Sequence, residues 1–435
     1  MSDTSWAGAA LAGIAAVYAL GSGRLARSPV SSGMVFAGFG VALGPVGLDL
    51  VDAQRDTGPL LTALEAALTL VLFTDAMGVP WKELRAGVAL PGRLLGVGLL
   101  LSIGIGWLLA WPLLPGLSAW ELALVAAILA PTDAALGSGA VANPGVPRLV
   151  RQTLNVESGL NDGMVLPFFV LFLAGIPGTS YAGERVGGTL WRALVLSPVL
   201  GLAVGWIGGR LYRLSYRGGW IGREWGQVYF LALAAAAYSL AVVTKGSGFI
   251  AAWVGGLALA AALHADEAGL SEDARTALFA EYLGSLLAML SLFIFGAVLL
   301  GPALEHLTWR IVGYAVLSLT VVRAVPVVLA LARSKLRPPT VAYIAWFGPR
   351  GLASIVLGLL VAEEHIHGAE LIGRVIAVTV GLSILLHGAS AHVLSDRYAR
   401  WYERAAATVP DLRESAASPA RIRPRGIGAP QRESR

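Results

Sequence analysis

The dominant pattern along the chain is a series of long apolar runs separated by short polar segments. An apolar run of about 20 residues with few charges has the length of a membrane-spanning helix. The chain contains about thirteen such runs, which predict an all-α polytopic membrane protein. The runs cover residues 6–22, 30–48, 58–79, 90–113, 119–142, 154–176, 189–212, 225–244, 247–264, 279–301, 308–332, 340–361 and 371–393.

The distribution of positive charge between the runs supports this count. Cytoplasmic loops carry an excess of Lys and Arg. The segments after odd-numbered runs, counted with the flanking ends of the runs, hold fifteen Lys or Arg residues, and the segments after even-numbered runs, counted in the same way, hold six. The alternation predicts a multi-pass protein of the cell inner (plasma) membrane, with its N-terminus outside and its C-terminus in the cytoplasm.

Composition excludes several other classes of protein. Hydrophobic residues make up 56% of the chain and charged residues 14%, whereas soluble domains carry roughly 25% charged residues. A soluble enzyme, a disordered protein and a fibrous protein are therefore all disfavoured. The absence of Cys excludes a disulfide framework and a thiolate metal site.

The net charge of +5 comes almost entirely from the C-terminal end. After about residue 395 the chain has nine Arg and five acidic residues. A basic tail suits the anionic cytoplasmic face of a membrane, so nucleic acid is not an expected partner. We predict a transmembrane domain over 1–395 and a cytoplasmic, largely disordered basic tail over 396–435.

Two of the predicted spans contain a helix-breaking motif. The fifth contains APTD at 130–133, and the twelfth contains WFGPRG at 346–351. Proline interrupts helix hydrogen bonding, and irregular backbone at membrane depth is tolerated only inside protein or beside a cavity. Two broken helices in corresponding positions of two halves indicate an ion site near the midplane. We predict inverted repeats whose broken helices cross there.

The charged residues at these breaks have an electrostatic role in this prediction. Helix N-termini carry partial positive charge and C-termini partial negative charge. Asp133 is expected to neutralise facing N-termini, and Arg350 facing C-termini. Arg350 is also expected to pair with Glu157.

The sixth span begins with a cluster of oxygen-bearing side chains. Ser158 and Asp162 lie four residues apart and share a helix face, and Glu157 and Asn161 form the neighbouring stripe. Such a face makes a poor lipid surface and a good wall for a small hydrated cavity. A single carboxylate in that cavity can bind a proton or a small cation, but hardly both. Asp75 in the third span is a further acid expected to face the cavity.

Other charged residues in or near the spans have less specific interpretations. Arg323 is a candidate functional charge within the membrane, and the alternative interpretation is that it snorkels to the cytoplasmic interface or forms a purely structural pair. Glu65, Glu121 and Glu281 lie near span ends and are expected to be exposed at the membrane interface.

These motifs, in this order and spacing, resemble the monovalent cation–proton antiporter family in its NhaP-like sodium/proton exchanger branch. The resemblance covers roughly residues 10 to 395. It is strongest at Pro131-Thr132-Asp133, at Glu157-Ser158 with Asn161-Asp162, and at Gly348-Pro349-Arg350-Gly351. The third span departs from the family, because relatives have Phe-Phe-Glu-Gly-Gly where this chain has Phe73-Thr74-Asp75-Ala76-Met77.

The resemblance implies a role for each of these residues. Asp162 is similar to the family's essential cation- and proton-binding carboxylate, and Asn161 to a residue that accompanies electroneutral exchange. Glu157 and Arg350 resemble a buried pair that stabilises the crossover. The candidate cation ligands are Asp162, Ser158, Thr132, Asp75 and Asp133.

The expected function is therefore exchange of Na+, or alternatively Li+ or K+, for H+ by a homodimer in lipid, with no cofactor and no enzymatic activity. Three alternatives remain open: a sodium-coupled symporter of an organic solute, a cation channel and an intramembrane enzyme. The symporter requires a larger cavity and the channel requires an open pore. The chain lacks the Gly-x-Gly-Asp and DDxxD motifs of known intramembrane enzymes.

Overall fold

The computed structural model of the chain describes residues 3–25, 28, 30–49, 57–78, 89–133, 136, 143–179, 182, 186–264, 278–364, 366–409 and 412–415. These residues form fourteen α-helices and one 3-10 turn, without a β-strand among them. The first seven helices are α1 (Asp3–Leu25), α2 (Ser32–Leu43), α3 (Thr57–Met77), α4 (Ala89–Leu113), α5 (Ala119–Ile128), α6 (Arg148–Ala174) and α7 (Gly187–Arg217). The others are α8 (Arg223–Val243), α9 (Gly248–His264), α10 (Leu278–Phe295, continued by Gly296–Leu300 and Gly301–Glu305), α11 (Trp309–Ala330), α12 (Pro338–Trp346), α13 (Leu352–Glu363) and α14 (Ala369–Thr408).

The all-helical prediction is confirmed. Within the described residues, seven helices are long and apolar enough to cross a membrane, namely α4, α6, α7, α8, α10, α11 and α14. Each of the predicted apolar runs overlaps a helix or a pair of helices. The exact number of membrane crossings and the inverted repeats stay predictions.

Both predicted helix breaks are present. α5 ends at Ile128, and the described chain that follows, to residue 133, is not helical. α12 ends at Trp346, residues 347–351 are not helical, and α13 begins at Leu352. Residues 134–135 and 137–142 of the predicted fifth span lie outside the described residues.

The start of α5 is fixed by a capping box. The Ser118 hydroxyl accepts from the backbone N–H of Glu121, and the Glu121 carboxylate accepts from the backbone N–H of Ser118 at 2.7 Å. Its other oxygen accepts from the N–H of Gly368 at 2.9 Å. The prediction of an exposed interfacial Glu121 is therefore wrong, because its carboxylate joins two helix-end segments and is buried. The side chain of Glu281 lies outside the described part of the structure.

Close helix packing positions α9 between its neighbours. Gly201 and Gly205 of α7 approach the backbone carbonyls of Ala251 and Gly255 so closely that any side chain would overlap them.

The outward face of α7 is apolar and exposed, with Val199, Leu202, Trp206, Ile207 and Leu211 among its residues. That surface is suited to contact with lipid rather than water.

The C-terminal helix is longer than the predicted domain boundary implies. α14 continues to Thr408, past residue 395, and a 3-10 turn at Arg413–Ser415 follows. Glu414 in that turn is buried and accepts hydrogen bonds from the N–H of Arg337 at 2.8 Å and the hydroxyl of Thr340 at 2.7 Å. Residues 396–408 are thus helical, and 416–435 of the predicted tail lie outside the described residues.

Candidate ion site

The two helix breaks contact each other directly. The backbone N–H of Asp133 donates to the carbonyl of Pro349 at 2.7 Å. The hydroxyl of Ser354 in α13 donates to the carbonyl of Ile128, the last residue of α5, at 2.6 Å. The two irregular segments therefore cross where both helices are interrupted, and part of the unpaired backbone is satisfied across the crossing.

Asp133 lies at the N-terminal end of α13, as predicted. One carboxylate oxygen accepts from the N–H of Leu352 at 3.1 Å, and the other from the N–H of Leu136 at 3.3 Å. Gly351 lies so close to this carboxylate that a methyl group there would overlap it. The negative charge is thus held against the partial positive charge of a helix N-terminus.

Arg350 lies at the opposite kind of helix end, also as predicted. Its side chain is fully buried. The guanidinium donates to the carbonyls of Ala130 and Pro131, the latter at 2.9 Å, and to the carbonyl of Ser318 at 3.4 Å. Arg350 therefore supplies positive charge and donors to carbonyls left unpaired just after α5 ends.

The predicted pairing of Glu157 with Arg350 is wrong. Glu157 forms a bidentate ion pair with Arg323 of α11, in which one nitrogen–oxygen distance is 2.9 Å. Both residues are buried, with 3% and 5% of their surface exposed. Arg350 instead donates its hydrogen bonds to backbone carbonyls. Gly348 leaves room for the Arg323 guanidinium, because a methyl group on residue 348 would overlap it. Arg323 therefore forms a buried ion pair and does not snorkel to the interface.

Three of the predicted ligands and supports form one buried polar cluster. The amide nitrogen of Asn161 donates to the hydroxyl of Thr132 at 2.7 Å, and that hydroxyl lies 3.0 Å from the hydroxyl of Ser158. Asp162 is one helical turn beyond Ser158 on α6, with 9% of its surface exposed. The amide oxygen of Asn161 is buried and has no hydrogen-bond partner among the described residues. Such an unpaired buried acceptor is rare, and it adds a potential oxygen ligand beside the two hydroxyls.

The part of α6 that carries Ser158 and Asp162 packs against α3 and α9 at two glycines. A methyl group on Gly159 would lie 3.8 Å from the backbone carbonyl of Asp75, so Asp75 lies beside this turn. The indole of Trp253 in α9 covers Gly163, where a side chain would overlap the ring. Whether Asp75 is a cation ligand stays a prediction.

The described residues contain no group of three or more His, Cys, Asp or Glu side chains that could hold a metal ion. Asp75, Asp133 and Asp162 therefore do not form one carboxylate cage. Asp162 lies on the face of α6 that also carries Ser158, whose hydroxyl is 3.0 Å from that of Thr132. A carboxylate near neutral oxygen atoms suits a small cation that binds reversibly.

Sequence reasoning missed two residues of α14 that contact the crossover. The hydroxyl of Ser383 accepts from the backbone N–H of Arg350 at 2.7 Å, and His387 Nε2 lies 3.0 Å from the carbonyl of Trp346. Two polar residues four apart in an apolar helix indicate a shared buried contact, but the sequence does not show which loop they contact.

Both the sequence and the fold resemble those of known proteins. The family model described as "Sodium/hydrogen exchanger, transmembrane" matches residues 10–396. An Escherichia coli protein named "Uncharacterized Na(+)/H(+) exchanger YjcE" is 30% identical over 195 residues, which cover 43% of this chain and 35% of that protein. The "K(+)/H(+) antiporter NhaP" of Alkalimonas amylolytica is 26% identical over 350 residues, covering 77% of this chain and 57% of that protein. The chain thus spans between about a third and just over half of the length of these relatives.

The fold also resembles a solved structure. The sodium proton antiporter MjNhaP1 from Methanocaldococcus jannaschii at pH 8 matches with a TM-score of 0.73 and 20% sequence identity. The match covers 91% of this chain and 98% of that chain. At this level of identity the likeness establishes a shared fold.

Proposed function

Because the chain belongs to the transmembrane sodium/hydrogen exchanger family, we propose that it is a secondary active transporter that exchanges a monovalent cation for protons. The observation that carries this proposal is the position of Asp162. Its carboxylate belongs to the same face of α6 as Ser158, beside the buried cluster of Thr132 and Asn161 at the crossing of two broken helices. Transporters of this architecture bind their ions where discontinuous helices meet.

The mechanism follows from competition for one carboxylate. A cation is attracted to the ionised Asp162 and to the neutral oxygens of Ser158, Thr132 and Asn161. Protonation of Asp162 removes the charge that attracts the cation. Each time the site moves from one side of the membrane to the other, it therefore carries either a cation or a proton. A gradient of one ion then drives transport of the other.

We propose that the exchange is electroneutral. Glu157 is neutralised by Arg323, and Asp133 is held by backbone N–H groups at the start of α13. Asn161 carries no titratable group. One mobile charge at Asp162 thus balances one proton, with Asp75 assigned as a permanent ligand.

The proposed cation is Na+, with Li+ and K+ as alternatives. The relatives carry both sodium and potassium in their names. The side chains of Thr132, Ser158 and Asn161 contact one another at 2.7 and 3.0 Å, a spacing that suits a small ion better than an organic solute. This spacing supports the antiporter over a symporter of an organic substrate.

The same proposal covers assembly and location. The transporter is placed in the cell inner membrane as a homodimer, with its N-terminus outside and its C-terminus in the cytoplasm. The transmembrane unit takes up 1–395, followed by the helical extension to Thr408. The protein acts without a cofactor and without enzymatic chemistry.

The experiment that tests the function is cation-dependent dissipation of a pH gradient in proteoliposomes. Purified protein is reconstituted with a pH-sensitive dye inside, and NaCl, LiCl, KCl or choline chloride is added outside. We expect proton movement with at least one alkali cation and none with choline. Proton movement that is the same for all four salts would contradict the proposal.

A further inference from the structure

The non-helical segment 347–351 of the crossover is attached near both of its ends to one turn of α14. The carbonyl of Trp346, the last residue of α12, lies 3.0 Å from Nε2 of His387. At the other end, the backbone N–H of Arg350 donates to the Ser383 hydroxyl at 2.7 Å. His387 and Ser383 are buried, with 2% and 0% of their surface exposed. The side chains of Ser383 and His387, four residues apart on α14, thus fix the distance between the two ends of this segment.

The two side chains are also bonded to each other. Nδ1 of His387 lies 3.1 Å from the Ser383 hydroxyl and 3.0 Å from the Ser383 carbonyl. An N–H can only donate and a carbonyl can only accept. Nε2 therefore carries a proton that it donates to the carbonyl of Trp346. When Nδ1 carries no proton, the hydrogens run in one direction, from the N–H of Arg350 to the Ser383 hydroxyl, from that hydroxyl to Nδ1, and from Nε2–H to the carbonyl of Trp346.

This direction requires a neutral imidazole with its proton on Nε2. A second proton on Nδ1 has an acceptor in the Ser383 carbonyl, but it would create a buried positive charge. His387 is buried, with 2% of its surface exposed, and burying a charge is costly. Glu157 is engaged by Arg323 and faces that residue rather than the imidazole. The surroundings therefore favour the neutral ring.

We infer that His387 is a positioning residue for cation binding, acting through the crossover as a neutral hydrogen-bond relay. Because the segment 347–351 also holds the N–H of Asp133 through the Pro349 carbonyl, its position determines where the adjoining Thr132 hydroxyl lies. Thr132 in turn contacts Asn161 and Ser158. This inference rests on the proposed function, since it assigns His387 to the same ion site.

The test uses two substitutions of His387 whose side chains differ in length. The amide of Gln extends about as far as Nε2 of His, and the amide of Asn only about as far as Nδ1. His387→Gln keeps a donor for the Trp346 carbonyl, whereas His387→Asn does not. His392→Asn, on the exposed side of the same helix, is the control. The readouts are the half-saturating cation concentration for exchange, its pH profile, and the rise in melting temperature in detergent on adding the cation.

We expect His387→Asn to raise the half-saturating concentration about tenfold, the lower end of the range for residues that orient ion ligands indirectly. His387→Gln should recover most of this loss and leave the pH profile unchanged, since a neutral ring does not titrate in the cycle. An Asn variant with wild-type half-saturation would overturn the inference. A Gln variant with a shifted pH profile would overturn it as well, because His387 would then be a proton-sensing group.

A second variant guards against misfolding of the histidine mutants. Ser383→Ala removes one oxygen from the same relay and should raise the half-saturating concentration in the same direction. If Ser383→Ala leaves cation binding unchanged, the relay does not position the site. A wild-type protein without exchange would contradict the proposed function itself, whereas an active wild type with unaffected variants would contradict only this inference.

Discussion

Arg323 and Glu157, 166 residues apart in the sequence, form a buried bidentate ion pair that joins α11 to α6. The pair fixes the helix that carries Asp162 against a helix beside the crossover. It also neutralises the acid nearest to the proposed ion site in sequence. The pair is therefore expected to matter both for the stability of the protein and for the charge balance of the proposed cycle.

Removal of one partner should be strongly destabilising. Glu157→Gln or Arg323→Gln leaves an uncompensated buried charge, at an expected cost of about 3–5 kcal/mol. The double variant should recover part of this loss, and the coupling should appear in a double-mutant cycle of unfolding in detergent.

The control for this cycle pairs Glu157→Gln with Arg350→Gln. Arg350 donates to backbone carbonyls, so its coupling to Glu157 should be clearly smaller. Stronger coupling of Glu157 to Arg350 than to Arg323 would contradict the assignment of the pair.

Gly351 should not tolerate a side chain. A methyl group there overlaps the Asp133 carboxylate, so Gly351→Ala should displace that charge from the start of α13 and cost about 1–3 kcal/mol. Gly373→Ala in α14 is the matched control, because nothing lies within 4 Å of the added methyl group. It should be neutral or stabilising by up to about 1 kcal/mol. Melting temperatures that fall equally in both variants would argue against a specific contact with Asp133.

Glu414 should stabilise the start of α12 from the C-terminal end of the chain. Its carboxylate accepts from the N–H of Arg337, the residue that caps α12, and from Thr340. Glu414→Leu should cost about 1–3 kcal/mol by leaving these donors unpaired, and Glu414→Gln less, because an acceptor remains. Glu403→Leu, exposed on α14, should have little effect. Equal unfolding free energies for the Glu414→Leu and Glu403→Leu variants would rule out this stabilising role.

Exchange should be insensitive to membrane potential. An imposed potential of about 100 mV is worth roughly 2.3 kcal/mol for each net charge moved, and the proposed cycle moves none. The rate and end point of cation-driven proton movement in proteoliposomes should therefore be unchanged by the potential. A clear dependence would indicate a second titrating acid, and Asp75→Asn would be the first variant to test.

The sequence was most informative where a residue conflicts with its surroundings. Pro131 and Pro349 interrupt otherwise apolar spans, so both breaks were predictable, and a charged residue beside each break indicated which helix end it would face. Asp133 and Arg350 occupy those ends. The oxygen-rich face of α6 was predictable from helical spacing alone.

Contacts between distant segments were not predictable in the same way. Glu157 had two buried arginines available, and only the path of α11 decides that Arg323 is its partner. Ser383 and His387 look like isolated polar residues in an apolar helix, and their function depends on where residues 347–351 pass. Glu121 lies near a span end, but its burial depends on the approach of Gly368 from another loop.

The central claim is that cation and proton compete for Asp162, and the Asp162→Asn variant tests it most directly. The substitution keeps the shape of the side chain and removes the titratable charge, and Glu370→Gln, exposed at the surface, is the control. In proteoliposomes the account predicts that Asp162→Asn abolishes cation-driven proton movement while the protein still folds in detergent, and that Glu370→Gln retains it. Substantial cation-driven proton movement by the Asp162→Asn variant would contradict the account.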